Sequence, residues 1–391
     1  MSMINKKKSI LVVTGIRSEY DILYPVLKQL QKDDEFELKI VVTGAHLSEW
    51  HGNTWRKIEE DGFKIVDKID YLLMTNRNTQ RSKGVGLLVA ALTQTVERED
   101  PDFILFVGDR EESIACCIVG NYMDVKVAHI GGGDTVYGNA DDPIRFACSE
   151  LAHIHFTTAQ QYADNLITMG EEPYRVCFTG NPALRNLLET PHLTKEEVSE
   201  QLGFDIDKYI VVLKHPLSSA KDDAYQQMKV TLDAIQDFAT ENQLKVVGIY
   251  PNTDPGSYDI LQAIDDMDSA DIKFFKTLSR EVFVNVMRHS LALIGNSSMG
   301  ILEAPFYKLP VVNVGSRQKG RLNAGNVEFV EYDHKEIMTA LNKAVYATEY
   351  RQFVKTMPNP YGDGEADKKI VSFLKSIDVN DQSWLIKKKV F

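Results

Sequence analysis

Short apolar segments alternate along the chain with longer stretches in which apolar residues recur at helical spacing. An apolar segment of a few residues that ends in turn residues is typical of a buried strand, and the spacing of Leu23, Val26, Leu27 and Leu30 is typical of a helix. Strands that alternate with helices indicate a parallel sheet covered by helices on both faces. The strands predicted in the first part of the chain are Ser9–Thr14, Phe36–Val42, Phe63–Ile69, Asp102–Val107 and Val125–Ile130.

The same alternation begins again after Pro182. The strands predicted there are Tyr209–Leu213, Lys245–Tyr250, Ile272–Phe275, Leu291–Ile294 and Val311–Val314. The pattern therefore predicts an α/β protein with two Rossmann-like doubly wound domains, residues 1–175 and 176–365, and a cleft between them. Residues 366–391 carry a last helix, at about Ala366–Ser376, and this segment is expected to return to the first domain. A length of 391 residues fits two domains.

The composition narrows the class of protein. A net charge of −12 argues against nucleic acid or an anionic membrane as a partner, and no run of 18 apolar residues predicts a membrane span. The apolar run after Lys6–Lys8 is too short for a signal peptide. The four cysteines show neither a CxxC pair nor metal-ligand spacing. We therefore expect a cytoplasmic protein with reduced cysteines and no bound metal.

The stretch Ile294–Glu303, Ile-Gly-Asn-Ser-Ser-Met-Gly-Ile-Leu-Glu, is the strongest local signal for a ligand site. A strand leads into a Ser-rich turn and then a helical pattern, with Glu303 on the first turns of the helix. Ser297 and Ser298 suit a helix N-cap, and a helix start attracts phosphate. An ordinary capped helix would have the same sequence. Pro305 cannot donate a backbone hydrogen bond, which predicts a short or kinked helix.

Other polar residues follow the predicted strands of the second domain. In doubly wound sheets, ligands bind beyond the carboxyl ends of the strands, so these residues are expected on one edge with the serines. Basic groups and polar turns there suit a diphosphate, and Glu303 suits ribose hydroxyls, although an isolated arginine is more often solvated surface charge. No Gly-x-Gly-x-x-Gly or P-loop motif is present. The additional candidates for substrate binding are His215, Asn252, Asp254, Arg317 and Arg321.

Carboxylates predominate at the corresponding edge of the first domain. Paired carboxylates can act as general acid and base when proximity and burial move their pKa values apart. One of the two that precede Pro143 is also expected to cap the helix that begins there. Arg17 and Arg110 follow strands and are candidates for substrate binding, whereas His129 is predicted to be a core histidine. The carboxylate candidates are Asp109, Asp134, Asp141 and Asp142.

Several motifs together resemble one known family. They are Thr14–Asp21 (Thr-Gly-Ile-Arg-Ser-Glu-Tyr-Asp), Val107–Arg110, His129–Asp134 (His-Ile-Gly-Gly-Gly-Asp), Asp141–Arg145 (Asp-Asp-Pro-Ile-Arg), Lys214–Pro216, Tyr250–Asp254, Ile294–Ser298, Val312–Gln318 and Tyr361–Gly364. In this order, spread over nearly the whole chain, they resemble the hydrolysing UDP-N-acetylglucosamine 2-epimerases of sialic acid synthesis. The resemblance implies a glycosyltransferase-B-like fold that holds the substrate between two domains, with no cofactor or metal, in a homodimer.

The resemblance also implies a reaction and roles. UDP leaves C1 as a base removes the C2 proton, and water then adds to the resulting 2-acetamidoglucal to give N-acetylmannosamine. Asp109, Asp134, Asp141 and Asp142 would surround the sugar, and His215 is included among the catalytic candidates. The nucleotide would be bound by Ser297, Ser298, Glu303, His215, Arg17 and Arg317.

One position departs from the family pattern, because many relatives carry glutamate where this chain has Gly131. Asp134, or else Asp109, would have to supply the missing carboxylate. Glycine there also leaves room for a differently substituted sugar, so the alternative substrate is a UDP-2,4-diacetamido-2,4,6-trideoxyhexose of legionaminic acid synthesis. A glycosyltransferase, which would need an acceptor, and a nucleotide-sugar sensor, which would bind without turnover, are further alternatives.

Overall fold

A computed structural model of the protein describes residues 6–49, 52–73, 79–134, 142–217, 223–251 and 256–389. The chain divides into two compact units. Unit 1 comprises Met1–Leu188 and Tyr361–Phe391, and unit 2 comprises Glu189–Pro360. The boundary predicted between residues 175 and 176 thus lies inside unit 1. In the ranges described, no helix is both long and apolar enough to cross a bilayer.

Seven strands of the described chain form the sheet of unit 1. They are β1 (Lys8–Thr14), β2 (Phe36–Thr43), β3 (Ile65–Ile69), β4 (Phe103–Val107), β5 (Lys126–Ile130), β6 (Ile154–Thr157) and β7 (Val176–Phe178). Their order across the sheet is β3-β2-β1-β4-β5-β6-β7, and every pair is parallel. Residues on both faces of β1, β4 and β5 are buried, which is why β4 is wholly apolar and the middle of β1, Ile10–Val13, is a continuous apolar run.

Helices cover both faces of this sheet. They are α1 (Arg17–Lys32), α2 (Trp55–Glu60), α3 (Thr79–Glu99), α4 (Glu111–Tyr122), α5 (Asp142–Leu151), α6 (Gln160–Thr168) and α7 (Leu184–Glu189). α1 shows why these helices pack on the sheet. Its residues Tyr20, Leu23, Leu27 and Leu30 recur at a spacing of three or four, so they lie on one face of the helix and are buried in the core.

The sheet of unit 2 repeats this arrangement with six strands within its described part. They are β8 (Tyr209–Leu213), β9 (Lys245–Ile249), β10 (Ile272–Phe275), β11 (Leu293–Gly295), β12 (Val311–Val314) and β13 (Val327–Val330). The order is β10-β9-β8-β11-β12-β13, again with parallel pairs. The helices are α8 (Lys195–Leu202), α9 (Ala224–Asn242), α10 (Ser257–Asp265), α11 (Arg280–His289), α12 (Met299–Leu302), α13 (His334–Tyr346) and α14 (Thr348–Thr356).

After unit 2 the chain returns to unit 1 as α15 (Ala366–Ser376). Ile370, Val371 and Leu374 on α15 are buried in the same apolar cluster as the inner face of α1. This packing places the last helix in unit 1, where the sequence pattern had predicted it.

Strand order reverses at one position in each sheet, between β1 and β4 in unit 1 and between β8 and β11 in unit 2. Loops diverge to opposite faces at such a switch point, and the crevice left at the carboxyl ends of the strands is where doubly wound proteins bind ligands. Two sites are therefore expected from topology alone, one at the carboxyl edge of each sheet.

Candidate functional site

An arginine joins two of the predicted carboxylates at the carboxyl edge of the unit 1 sheet. Nε of Arg145, on the first turn of α5, donates to Oδ2 of Asp109 (3.0 Å), and Nη2 also contacts this oxygen. Nη1 of the same side chain lies 3.0 Å from Oδ2 of Asp134. The side chains of Asp109, Asp134 and Arg145 are 12–15% exposed, so water has little access to the pairs. Arg145 was not among the predicted site residues.

The charges in this group are unequal. Burial would lower the pKa of Arg145, but Asp109 and Asp134 outweigh burial and raise it, so the guanidinium stays charged. One cation between two carboxylates leaves one negative charge uncompensated within the group. Tyr162 also borders Asp134, and burial together with that carboxylate raises the pKa of the phenol, which therefore stays protonated. Such a group can accept a proton at one carboxylate while the arginine keeps both in place.

The side-chain positions of four predicted residues are outside the part of the chain that the structure describes. Asp141, Asn252 and Asp254 lie outside the described residues, and Asp142 is described only as the first residue of α5. Their roles stay predictions.

The two arginines predicted to bind substrate in unit 1 differ in their surroundings. Arg17, the first residue of α1, has a side chain that is 75% exposed, with its Nε 3.8 Å from Oδ2 of Asp21. Arg110 immediately precedes α4, and its side chain is 38% exposed above the buried carboxylates of Glu19 and Glu112. Both remain available to a ligand, but only Arg110 is held by buried partners.

His129 is a core residue, as predicted. Its side chain is fully buried, stacks on Phe106 with ring centroids 4.7 Å apart, and shares a hydrogen bond of 2.8 Å between Nε2 and the carbonyl oxygen of Gly108. Burial lowers the pKa of His129 to about 3, so the ring is neutral near pH 7. Two residues later, Gly131 has a φ of +90°, and a Cβ added there would contact no atom of the described residues within 4 Å. As far as the structure describes it, the carboxyl edge is open beside β5.

Asn296 organises the carboxyl edge of the unit 2 sheet. Its side-chain Oδ1 accepts from the backbone N–H of His215 (2.7 Å), and its Nδ2 donates to the carbonyl oxygen of His215 (2.9 Å). The carbonyl oxygen of Asn296 accepts from Nη1 of Arg317 (3.2 Å) and from Nε2 of Gln318 (3.1 Å). Arg321 in turn donates to Oε1 of Gln318 (3.1 Å). The predicted residues His215, Arg317 and Arg321 are thus brought together through two amides that were not predicted.

The helix after Ser298 is shorter than the predicted phosphate site requires. α12 has only four residues, Met299–Leu302, and Ser298 precedes it without a side-chain capping bond. Pro305 is the expected cause, and the prediction of a short helix is confirmed. Glu303, which was predicted on the first turns of this helix, follows its single turn as the C-cap residue. One turn carries little aligned dipole, so any anion affinity here comes from individual N–H and hydroxyl groups.

All four cysteines are free thiols. Cys116, Cys117 and Cys148 are buried free thiols, and Cys177 is a partly buried one. Among the described residues, no group of three or more His, Cys, Asp or Glu side chains is arranged to hold a metal ion.

Known proteins are similar to this chain across both units. The family model described as UDP-N-acetylglucosamine 2-epimerase matches residues 28–375. A UDP-N,N'-diacetylbacillosamine 2-epimerase (hydrolyzing) from Legionella pneumophila is 32% identical, over 96% of this chain and 97% of its own. A UDP-N-acetylglucosamine 2-epimerase from Neisseria meningitidis serogroup B is 29% identical, over 86% and 87%.

Solved structures share the fold. The crystal structure of UDP-GlcNAc 2-epimerase from Neisseria meningitidis bound to UDP-GlcNAc superposes with a TM-score of 0.78 at 22% identity, and covers 94% of this chain and 100% of that one. The calicheamicin glycosyltransferase CalG4 superposes with a TM-score of 0.60 at 12% identity over 95% and 99%. The glycosyltransferase-B-like fold that the motifs implied is confirmed.

Proposed function

Because the chain belongs to the UDP-N-acetylglucosamine 2-epimerase family, we propose that it is a hydrolysing 2-epimerase that converts a UDP-2-acetamido sugar into UDP and the free 2-epimer. The observation that carries this proposal is the Asp109–Arg145–Asp134 group. It provides two carboxylates, one cation and little water at the carboxyl edge where a doubly wound sheet binds its ligand.

The proposed reaction has two steps. In the first, a carboxylate takes the proton from C2 while the C1–O bond breaks, and its electron pair leaves with the diphosphate of UDP. In the second, water adds its hydroxyl to C1 and C2 regains a proton on the opposite face. Asp109 and Asp134 are the proposed acid and base of unit 1, and each proton transfer requires them within hydrogen-bond reach of the sugar.

The departing diphosphate gains negative charge, and we assign its binding to unit 2. The arginines and histidine grouped around Asn296 supply cationic and hydrogen-bonding groups for it. Glu303 is the proposed acceptor for ribose hydroxyls. The proposed diphosphate ligands are His215, Ser297, Ser298, Arg317 and Arg321.

The space beside Gly131 affects which sugar the site can accommodate. A Cβ there would contact none of the described residues, which supports room beside the acid–base group for a bulkier substituent than a hydroxyl. We therefore propose the 2,4-diacetamido-2,4,6-trideoxyhexose as the preferred sugar, in agreement with the similarity to the Legionella enzyme, and UDP-N-acetylglucosamine as the second candidate. This order reverses the one suggested by the motifs alone.

The test is to incubate the purified protein with each nucleotide sugar in turn and to follow the products by NMR. We expect UDP and the free 2-epimer from both, with the larger kcat/KM for the diacetamido sugar. Turnover that requires an added sugar acceptor would identify a glycosyltransferase instead. Binding of either nucleotide sugar without any product would indicate a sensor, and both results would refute the proposed function.

Ser298→Ala tests the nucleotide site separately from the chemistry. Loss of one hydroxyl hydrogen bond is expected to weaken UDP binding by about 1 kcal/mol, or roughly fivefold, as measured by titration calorimetry. Ser290→Ala is the matched control, because Ser290 precedes β11 at the amino end, where its hydroxyl donates to the carbonyl oxygen of Met287 (3.0 Å). Equal UDP affinity in both variants would remove Ser298 from the site.

A further inference from the structure

Two buried glutamates lie at the switch point of the unit 1 sheet and have no part in the proposed reaction. Glu19 is on the first turn of α1, after β1, and Glu112 is on the first turn of α4, after β4. They are 7% and 2% exposed. These are the two strands between which the strand order reverses, so the glutamates lie where the fold usually leaves space for a ligand.

Two glycines make room for the carboxylate of Glu112. A Cβ on Gly15 would lie 1.8 Å from Oε1 of Glu112, and a Cβ on Gly44 would lie 2.5 Å from the same oxygen. A side chain at either position would force the Glu112 carboxylate to move, and Gly44 also has a φ of +57°. The glycines that follow β1 and β2 therefore leave the space that the Glu112 carboxylate occupies.

Each glutamate has one oxygen satisfied and one facing an arginine. Oε2 of Glu19 accepts from the N–H of Gly15 (2.8 Å), and Oε1 of Glu112 accepts from the hydroxyl of Tyr71 (2.7 Å). The second oxygens, Oε1 of Glu19 and Oε2 of Glu112, lie 3.8 and 3.6 Å from Nε of Arg110. Within the described chain, neither oxygen nor this Nε has a hydrogen-bond partner, although all three are buried.

The charges at this point balance only if a proton is retained. Arg81 pairs with the neighbouring Glu111, whose Oε2 also lies 3.8 Å from Nη2 of Arg110. Two arginines therefore face three glutamates, and once Arg81 is matched with Glu111, Arg110 is the remaining cation for Glu19 and Glu112. Two ionised carboxylates and one guanidinium would leave a net negative charge out of contact with water. A single proton on the pair makes the group neutral, and it also supplies the hydrogen that one of the two unsatisfied oxygens lacks.

We propose that Glu19 and Glu112 hold one proton between them and position Arg110, so that loss of this proton draws the guanidinium down onto the pair and away from a bound nucleotide sugar. The proton leaves to solvent, and no other bond changes. Glu19 and Glu112 are positioning residues in this scheme, because they act through Arg110. The inference rests on the proposed function only in naming the ligand.

The other ionisable groups around the pair keep one charge state near neutral pH. Burial raises the pKa of the phenol of Tyr71 and of the thiol of Cys116, and burial lowers the pKa of His46, beyond Gly44, to about 4. In Glu111 the effect of burial is outweighed by the hydrogen bond from Arg81, which lowers its pKa. The charge on Arg110 is kept because the acids outweigh burial and raise its pKa.

The pair itself titrates in an accessible range. Burial, followed by repulsion from Glu112, raises the pKa of Glu19 from 4.5 to about 8, and burial also raises the pKa of Glu112. The folded protein therefore binds a proton that the unfolded chain releases at lower pH. The free energy of unfolding should consequently fall as the pH rises from about 4.5 to about 8. This measurement, by urea unfolding, does not depend on any substrate.

The test of positioning is the pH dependence of KM. In the wild type, KM for the nucleotide sugar is expected to rise by up to about tenfold per pH unit above pH 8, with a smaller change in kcat. Glu19→Gln and Glu112→Gln each remove the shared proton and leave one carboxylate, so KM should stay level to pH 9.5. Glu97→Gln is the control, because Glu97 is exposed near the end of α3, where the chain leads to the amino edge of the sheet, and this variant should keep the wild-type profile.

A double-mutant cycle tests whether Glu19 affects KM through Arg110. In an Arg110→Gln background, adding Glu19→Gln should change KM by less than twofold at any pH, because the group being positioned is gone. Equal pH profiles for Glu19→Gln and the wild type would overturn the proposal, and so would additive effects in the cycle. If the wild type turns over no nucleotide sugar, the proposed function fails, while the dependence of unfolding on pH still decides whether the proton is held.

Discussion

Asp109→Asn is expected to lower the rate of UDP release by about a thousandfold while UDP affinity changes less than twofold. Asparagine has nearly the same shape and can still accept from Arg145, but it cannot take a proton, and acid–base groups typically contribute 10²–10⁴-fold. The substitution also leaves Arg145 with Asp134 as its ionised partner, so the charge available to the sugar changes with little change in packing.

The control for this variant is Asp102→Asn, at the opposite end of the same strand. Asp102 precedes β4 and its Oδ2 accepts from the backbone N–H of Ser9 (2.8 Å), at the amino edge of the sheet. Its replacement should leave UDP release near the wild-type rate, as measured by a coupled assay for UDP, with affinity from titration calorimetry. A large loss of UDP affinity in Asp109→Asn would show that Asp109 contacts the nucleotide rather than the sugar.

Asp109 was predictable from sequence because it follows a strand and a glycine, and the carboxyl edge of a parallel sheet is shared by all its strands. The role of Arg145 was not predictable, although Arg145 lies within a motif that marked the family resemblance. A charged residue on an amphipathic helix is usually solvated, and only the fold shows that α5 directs this one between two carboxylates from other loops. Asn296 was missed for the same reason: its partners are the backbone of a residue 81 positions away.

The fold followed from hydrophobic periodicity where elements were long or wholly buried. The helix predicted at residues 366–376 and the strand at 209–213 agree with the structure at both ends. β6 and β7 were not predicted, since they have only four and three residues, and β6 places a histidine at a buried position. Without these two strands the domain boundary was drawn before β7, which pairs with β6 in the unit 1 sheet. Strands of three or four residues contain too few positions to show a period.

Arg175→Leu is expected to lower the stability of unit 1 more than any other single substitution considered. The side chain is fully buried, and its Nε donates to Oε2 of Glu172 (2.8 Å). Its Nη1 and Nη2 donate to four backbone carbonyl oxygens, those of His153 (3.2 Å), Trp384 (2.7 Å), Ser383 (3.2 Å) and Ile386 (2.8 Å). One guanidinium therefore ties the residues after α15 to the sheet.

Leucine can fill part of the volume, but it satisfies none of these acceptors. Removing one partner of a buried charged group typically costs about 3–5 kcal/mol, which in a unit of this size lowers the melting temperature on the order of 10 °C. Calorimetry should show this loss, and hydrogen exchange should show faster opening at residues 382–386 than in the sheet.

Arg98→Leu is the control, since the side chain of Arg98 is 52% exposed and its ion pairs with Asp67 and Glu99 are open to solvent. It should melt close to the wild type. Equal melting of the two variants would mean that the C-terminal residues are held by their apolar contacts alone. Trp384 packs edge-on against Tyr174 and Phe373, with ring centroids 5.1 and 6.2 Å apart. The guanidinium lies over the rings of Tyr174 and Trp384, so equal melting would mean that these rings pack as well without it. A large difference would instead show that backbone carbonyls, which carry no sequence signature, decide where the end of this chain is held.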